Sequence, residues 1–408
     1  MHPSRPRAAW RFALAACVLL ALPAMAAPQD QAPDKRIDPF YDPEATAPYR
    51  TWDSTPAITM PPLLLDVSDT SVVVEWMTDS DSDGVVHYGE HALDHTATAQ
   101  REGLLDVGTF HRVVIEGLQP GHTYQYQVAS RRVVALNAYW PERGRTVKSA
   151  VARFATLDPA RPTARFAAIT DTHENVPRIR TLLDEIGKSP VDFVAHLGDS
   201  INYAVSEQQL KNVFLAPAAE ALGGATSMFY VRGNHEYRGP FARALGPYLH
   251  AQDARYDFVR DDGPLHLIAV DTGEDKPDET NVYAGLNDLR DYRRQGLARF
   301  GQALAGARTR SAPFTVVLGH QPTWGWTGGD NAQWTRLANQ AKVDLFIAGH
   351  VHRFMHIKPG EWGNDFPILV VGQDQVAWVE ADERTLKVRV TRTDGTLVDS
   401  FTLERRRK

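Results

Sequence analysis

Phe166-Ala167-Ala168-Ile169-Thr170-Asp171-Thr172-His173 passes directly from an apolar run into three polar residues. The run has the length of a buried strand. The same pattern returns four times along the chain. Phe193-Val194-Ala195-His196-Leu197 leads to Gly198-Asp199, and Met228-Phe229-Tyr230-Val231 leads to Gly233-Asn234-His235-Glu236. Thr315-Val316-Val317-Leu318 leads to Gly319-His320, and Leu345-Phe346-Ile347-Ala348 leads to Gly349-His350-Val351-His352. Ligands of α/β sheets collect at the C-terminal ends of strands, so five such ends are expected to face one crevice. Glycine precedes the polar residue in four of the five, where the backbone must turn sharply or approach closely.

Carboxylate and amide oxygens with imidazole nitrogens, and no thiolate, are the donor set of Zn, Mn or Fe. In extended backbone Asp171 and His173 point to the same side and reach one ion. The same holds for His350 and His352, unless one irregular step aims them at different ions. Two neighbouring cations need a shared anionic ligand; together they clamp a phosphate and supply a hydroxide nucleophile at neutral pH. One histidine must then stay off the metals to protonate the leaving oxygen. Singly, each piece is unconvincing: a lone histidine after a strand is more often structural. His196, inside an apolar run, reads as a satisfied core histidine, and His266 and His356 receive the same reading. Five pieces in order are a different matter.

Outward from these motifs, residues 162–408 alternate apolar strands with helical stretches, Ile179, Leu182, Leu183 and Ile186 among them, and end in further strands. Trp334, Leu337, Ala338 and Ala341 are likewise helically spaced, and Ser206-x-x-Gln209 has the form of a capping box. Residues 58–157 have period two, with Val72, Val74 and Trp76 alternating against their neighbours and turn signals at Pro120-Gly121. That is the pattern of a β-sandwich with a core of its own around Trp76. The stretch 118–124 resembles the corner of a fibronectin type III domain, whose tyrosine, here Tyr124, bonds back to the backbone. Asp79-Ser80-Asp81-Ser82-Asp83-Gly84 with Glu90 matches an EF-hand calcium loop position by position. Its flanks read as strands rather than helices, so an acidic hairpin turn is the expectation.

Residues 27–57 are rich in Pro, Asp and Gln and read as an extended segment. Residues 1–26 have a basic start, an apolar run and Ala24-Met25-Ala26. That order reads as a signal peptide, so an exported protein, periplasmic or secreted and without a stable membrane anchor, is expected. Cleavage would remove Cys17, the only cysteine, and leave a mature chain without disulfides. It would also remove Arg5, Arg7 and Arg11, making the formal charge of −6 more negative. An acidic surface disfavours nucleic acid polymers as partners.

The order D-x-H, G-D, G-N-H-E, G-H, G-H-x-H from Asp171 to His352 resembles the calcineurin-like metallophosphoesterase family, and the likeness spans residues 165 to the C-terminus. The resemblance implies a four-layered α-β-β-α sandwich behind the all-β fibronectin type III-like domain. It further implies one metal on Asp171, His173 and His352, a second on Asn234, His320 and His350, and Asp199 bridging. His235 falls at the position of the family's general acid. The domain order is similar to purple acid phosphatases, whose tyrosine ligand lies three residues after the bridging aspartate. That place is Asn202 here, with Tyr203 one residue on, and the purple enzymes lack the histidine that this chain has as His173. A colourless relative is expected, with two divalent or mixed-valence ions of Fe, Mn or Zn.

The expected activity is hydrolysis of a small phosphate ester by a metal-activated water, with monoesters favoured. A phosphodiesterase acting on nucleotide or lipid-derived diesters is the alternative, because the same ligands serve both reactions. A surface-binding protein with a degenerate metal domain is a further reading, disfavoured because none of the eight motif positions is missing. Tyr203, Tyr237, Arg238, Trp324 and Trp326 are the candidates for pocket walls, and loop packing is the ordinary alternative for the two tryptophans.

Overall fold

The computed structural model describes residues 51–406, with 139, 253 and 326–330 excepted. The expected leader 1–26, most of the segment 27–57 and the wall candidate Trp326 lie outside the described residues.

The first half is made of strands β1 (Ile58–Leu65), β2 (Val72–Gly89), β3 (Val107–Ile115), β4 (Thr123–Ala135), β5 (Glu142–Lys148) and β6 (Ala152–Ala155). Trp76 is fully buried and its indole donates to Ser130 Oγ at 2.8 Å. The Tyr124 hydroxyl accepts the Gln119 amide at 2.9 Å, tying the corner five residues upstream.

The acidic stretch from Asp79 to Gly84 is not the expected hairpin turn. It lies inside β2, which pairs with β1 and β3 through its first part and with β4 through its last. A register shift between Met77 and Ser82 marks a bulge, and bulges bend a strand without ending it. The acids serve this crossing: Asp79 accepts the Ala57 amide at 2.9 Å, and Asp83 accepts the Arg131 amide at 3.2 Å.

The second half runs β7 (Thr163–Ile169), α1 (Val176–Ile186), β8 (Phe193–His196), α2 (Ala216–Leu222), β9 (Ser227–Tyr230), β10 (Phe258–Asp262), β11 (Leu265–Ala269), α3 (Leu289–Leu304), β12 (Phe314–Leu318), α4 (Asn331–Gln340), β13 (Leu345–Ala348), β14 (Met355–Ile357), β15 (Ile368–Val370), β16 (Gln375–Asp382), β17 (Thr385–Arg392) and β18 (Leu397–Glu404). Local signals start the helices. Asn175 caps α1 by accepting the Arg178 amide at 3.0 Å, and Ser206 accepts the Gln209 amide at 3.2 Å.

One sheet runs β18-β17-β16-β7-β8-β9, and the other runs β10-β11-β12-β13-β15-β14. Phe166, Phe193 and Phe229 from the first meet Leu267, Val316 and Ile347 from the second in one core. On the outer side of the first sheet, Ala167, Val194 and Met228 pack with Ile179 and Leu183 of α1 and Ala219 of α2. On the outer side of the second, Ile268, Val317 and Phe346 pack with Phe300 of α3 and Trp334 and Ala338 of α4. The result is the expected four-layered α-β-β-α sandwich. Among the described residues no helix is long and apolar enough to cross a membrane.

The β-domain does not keep its core to itself. Strand β1 lies parallel to β9, where the Asp66 amide donates to the Met228 carbonyl at 3.0 Å, so the first sheet continues into the N-terminal strands. Met60, Leu63 and Leu65 are buried in the same cluster as the α1 and α2 side chains. Along β1, Leu63 and Leu65 pack into this cluster and Leu64 into the core between the sheets, and the period-two pattern does not tell which neighbours cover each face.

Candidate metal centre

Each metal-type residue sits just past a strand end, as the motifs predict, but on backbone that is not extended. Asp171, His173, Asp199, His350 and His352 have φ of 53, 46, 56, 70 and 62°. Left-handed backbone at a non-glycine residue costs on the order of 1–3 kcal/mol and collects at functional sites. Here long-range bonds hold it: the Asp171 amide donates to the Gly198 carbonyl at 3.0 Å, the His173 amide to the Asp199 carbonyl at 3.0 Å, and the His350 amide to Asp171 Oδ2 at 2.8 Å. The extended-strand reason for pairing Asp171 with His173 is therefore replaced by a tight turn. Two of the glycines answer to close approach, since a Cβ at Gly233 would collide with Asp199 and one at Gly349 with Thr170.

The side chains converge into two groups. Asp171, His173, Asp199 and His352 form one, and Asp199, His320 and His350 the other. Asn234 joins the second, with Oδ1 3.0 Å from His320 Nε2 and 3.0 Å from His350 Nδ1. His350 and His352 thus go to different groups, the irregular of the two arrangements their spacing allows. Contacts within the groups run from 3.0 to 3.7 Å, with His173 Nε2 3.6 Å from Asp171 Oδ1 and 3.7 Å from Asp199 Oδ2. His173 Nε2 to His352 Nε2 is 3.0 Å, His352 Nε2 to Asp171 Oδ1 is 3.1 Å, and His320 Nε2 to Asp199 Oδ2 is 3.0 Å. Ligands held roughly 2.1 Å from a common ion stand about 3.0–3.4 Å apart. Asp171 Oδ1 is buried with no hydrogen-bond partner, while Oδ2 is occupied by Thr170 and His350. An orphaned carboxylate oxygen facing three donors fits a cation.

Electrostatics agree. Burial opposes ionisation of Asp171, yet the neighbouring imidazoles of His173 and His352 hold its carboxyl well below the usual range. Burial disfavours the charged form of His320, but Asp199 outweighs it and pushes the imidazole up to about 10. Such a site binds a positive charge, and a metal takes the place of that proton. The His320 Nδ1–H donates to the Leu197 carbonyl at 2.6 Å, which aims Nε2 inward.

The sequence reading missed Glu236. It is fully buried and accepts the amides of Gly233 at 2.9 Å, Asp199 at 3.0 Å and Ser200 at 2.8 Å. One carboxylate therefore pins both the Asp199 loop and the Asn234 loop. The fourth letter of G-N-H-E was its only signal.

His235 lies at the edge of both groups, with Nε2 3.9 Å from Asp199 Oδ2. Its Nδ1–H donates to the Asn202 carbonyl at 2.6 Å, and Arg238 NH1 is 3.1 Å from Nε2. Arg238 is held by Glu274 at 2.7 and 2.8 Å and by Asp275 at 3.0 Å. Tyr203 is 55% exposed, beyond the ligand cluster. Tyr237 turns inward, its hydroxyl donating to Asp271 at 2.9 Å and its ring under the Arg232 guanidinium at 3.7 Å. Trp324 is a core residue rather than a wall at the metal groups: it is buried and stacks on Phe346 with ring centroids 4.2 Å apart. His196 is buried as expected but only half satisfied; Nε2 meets Thr172 Oγ1 at 3.2 Å and Nδ1 has no partner. His266 bonds Asp261 and Thr309, and His356 bonds Asp399.

With this geometry in view, comparisons with known proteins are informative. Residues 164–354 match the calcineurin-like phosphoesterase family, and residues 63–156 match the purple acid phosphatase N-terminal domain. Purple acid phosphatase 4 of Arabidopsis thaliana is 24% identical over 229 residues, which are 50% of this chain and 65% of the relative. Purple acid phosphatase 3 of the same plant is 26% identical over 235 residues, 51% of this chain and 61% of the relative. The chain thus spans less than two thirds of either relative. A purple acid phosphatase from yellow lupin (Lupinus luteus) seeds superposes with a TM-score of 0.63 at 16% identity, covering 84% of this chain and 74% of the lupin chain, a likeness of fold. The chain thus places a segment similar to the purple acid phosphatase N-terminal domain ahead of one similar to calcineurin-like phosphoesterases.

Proposed function

We propose that this protein is a dinuclear metal-dependent hydrolase of phosphate esters, acting on phosphomonoesters. The observation that carries it is that Asp199 belongs to both ligand groups, where it would serve as the anion shared by two cations. Asp171, His173 and His352 would complete one site, and Asn234, His320 and His350 the other. Two ions of Fe, Mn or Zn held there would supply Lewis acidity and a hydroxide nucleophile at neutral pH. The chain's own residues do the rest. His235 is oriented through Nδ1 by Asn202, and its Nε2, which accepts from Arg238 NH1 in this structure, would when protonated pass that proton to the leaving oxygen. Arg238, beside that nitrogen, offers its guanidinium to the phosphate oxygens. The relatives' name, phosphatase, supports the monoester reading.

The exposed Tyr203 and the carbonyl role of Asn202 favour a colourless metal pair, with no tyrosinate ligand. The leader read in residues 1–26 favours export, to the periplasm or the medium. We take 58–157 as a fibronectin type III-like unit and 162–408 as the catalytic unit. Purified protein should hydrolyse phosphomonoesters faster than phosphodiesters in a panel assay, and chelation should abolish both activities. A preparation with two bound metals and no esterase activity would sink the reading.

A further inference from the structure

We propose that Glu174 and Gln209 form a clamp that sets the attitude of His235 and thereby the enzyme's tolerance of poor leaving groups; the proposal rests on the hydrolase reading above. Glu174 immediately follows the first motif and has φ of 60°, a left-handed conformation that a glutamate does not adopt freely. Its amide donates to the Ser200 carbonyl at 2.9 Å. The carboxylate thus reaches the loop after Asp199, where Oε1 accepts the Asn202 amide at 2.9 Å. The same oxygen accepts Gln209 Nε2 at 2.8 Å. Gln209 in turn donates to the Tyr203 carbonyl at 2.9 Å and accepts the Val205 amide at 2.7 Å. Residues 202, 203 and 205 are therefore all fastened to one Glu–Gln pair. The free end of that loop is the Asn202 carbonyl, which receives His235 Nδ1–H.

Two carboxylates divide the loop between them. Glu236 holds the ligand end through the amides of Asp199 and Ser200, and Glu174 holds the end that touches His235. Asn202 is engaged through its backbone, the amide by Glu174 and the carbonyl by His235, and the Tyr203 side chain is 55% exposed. Loss of Glu174 should consequently leave the metals in place and let Asn202 drift. Displacement of a catalytic group by about 1 Å costs up to roughly a hundredfold in rate. Glu174 and Gln209 are positioning residues, since they touch no substrate.

The test uses full-length, metal-loaded enzyme with p-nitrophenyl phosphate, a good leaving group, and glycerol phosphate, a poor one. Glu174→Ala and Gln209→Ala should keep two metals. Each should lose kcat on glycerol phosphate by roughly ten- to a hundredfold and change little on p-nitrophenyl phosphate. Glu174→Gln should restore the rate, because both bonds end on one oxygen that an amide also carries. The Nδ1–H resonance of His235, assigned by its loss in His235→Ala, should shift in Glu174→Ala and return in Glu174→Gln. Equal losses on both substrates, loss of metal, or no change would overturn the clamp. If His235→Ala discriminates between leaving groups and Glu174→Ala does not, the clamp alone fails. If His235→Ala does not discriminate, the general-acid reading fails and the clamp with it.

Discussion

The Asp199 carboxylate and the His320 imidazole meet at 3.0 Å, Oδ2 to Nε2, with both side chains shut off from solvent. Asp199 Oδ1 meanwhile accepts the His235 amide at 3.0 Å. A buried carboxylate so placed belongs at once to both candidate ligand groups and to the backbone that carries His235.

Metal analysis of purified protein should therefore find close to two transition-metal ions per chain. Asp199→Ala should lower occupancy at both sites, and Asp171→Ala chiefly at one. An active enzyme holding a single ion would contradict the dinuclear assignment.

His235→Ala should retain its metals and lose about 10²–10⁴-fold in kcat. The loss should be smaller for p-nitrophenyl phosphate than for alkyl phosphates, which need the proton more. Loss of metal in this variant would make His235 a ligand instead.

The visible spectrum of the metal-loaded enzyme should lack an intense charge-transfer band, because Asn202 stands at the tyrosine position and Tyr203 faces solvent. A purple or pink preparation would show that a tyrosinate reaches the iron.

Glu75 gives a pH dependence of stability. It is fully buried against Arg112, and burial outweighs that guanidinium and pushes the carboxyl up to about 7. The folded state thus holds a proton that the unfolded chain releases above the ordinary glutamate value of 4.5. This contribution is fully present below that value and is lost as pH rises through about 7. Glu75→Gln should flatten that part of the profile in thermal melts taken between acid and neutral pH. An unchanged slope would place the titration elsewhere.

Leu63→Ala should lower the stability of the whole chain, by about 2–5 kcal/mol, in a single unfolding transition. Leu63 belongs to the β-domain by sequence but is buried in the cluster of α1 and α2. Calorimetry with two resolved transitions, only the first shifted, would mean that the halves unfold separately.

The sequence by itself determined the chemistry. Five apolar runs ending in Asp, Asn and His name the donor set and its order, and strand-end placement follows from local pattern alone. Helical spacing at Ile179, Leu182, Leu183 and Ile186 likewise predicted a face that is buried. Tertiary structure decided whatever depends on partners distant in the chain. The left-handed backbone at Asp171, His173 and His350 is held by bonds from the loops of other strands, so no local propensity announces it. The separation of His350 from His352, the pinning role of Glu236 and the fastening of Asn202 by Glu174 arise the same way. Trp324 shows the reverse error: an aromatic beside a glycine in a loop reads as a wall, yet its environment is the packed layer under the second sheet. The shared core at Leu63 and Leu65 was invisible for a related reason. Period two states that a residue is buried but not against which neighbour, and only the juxtaposition of β1 with β9 supplies that.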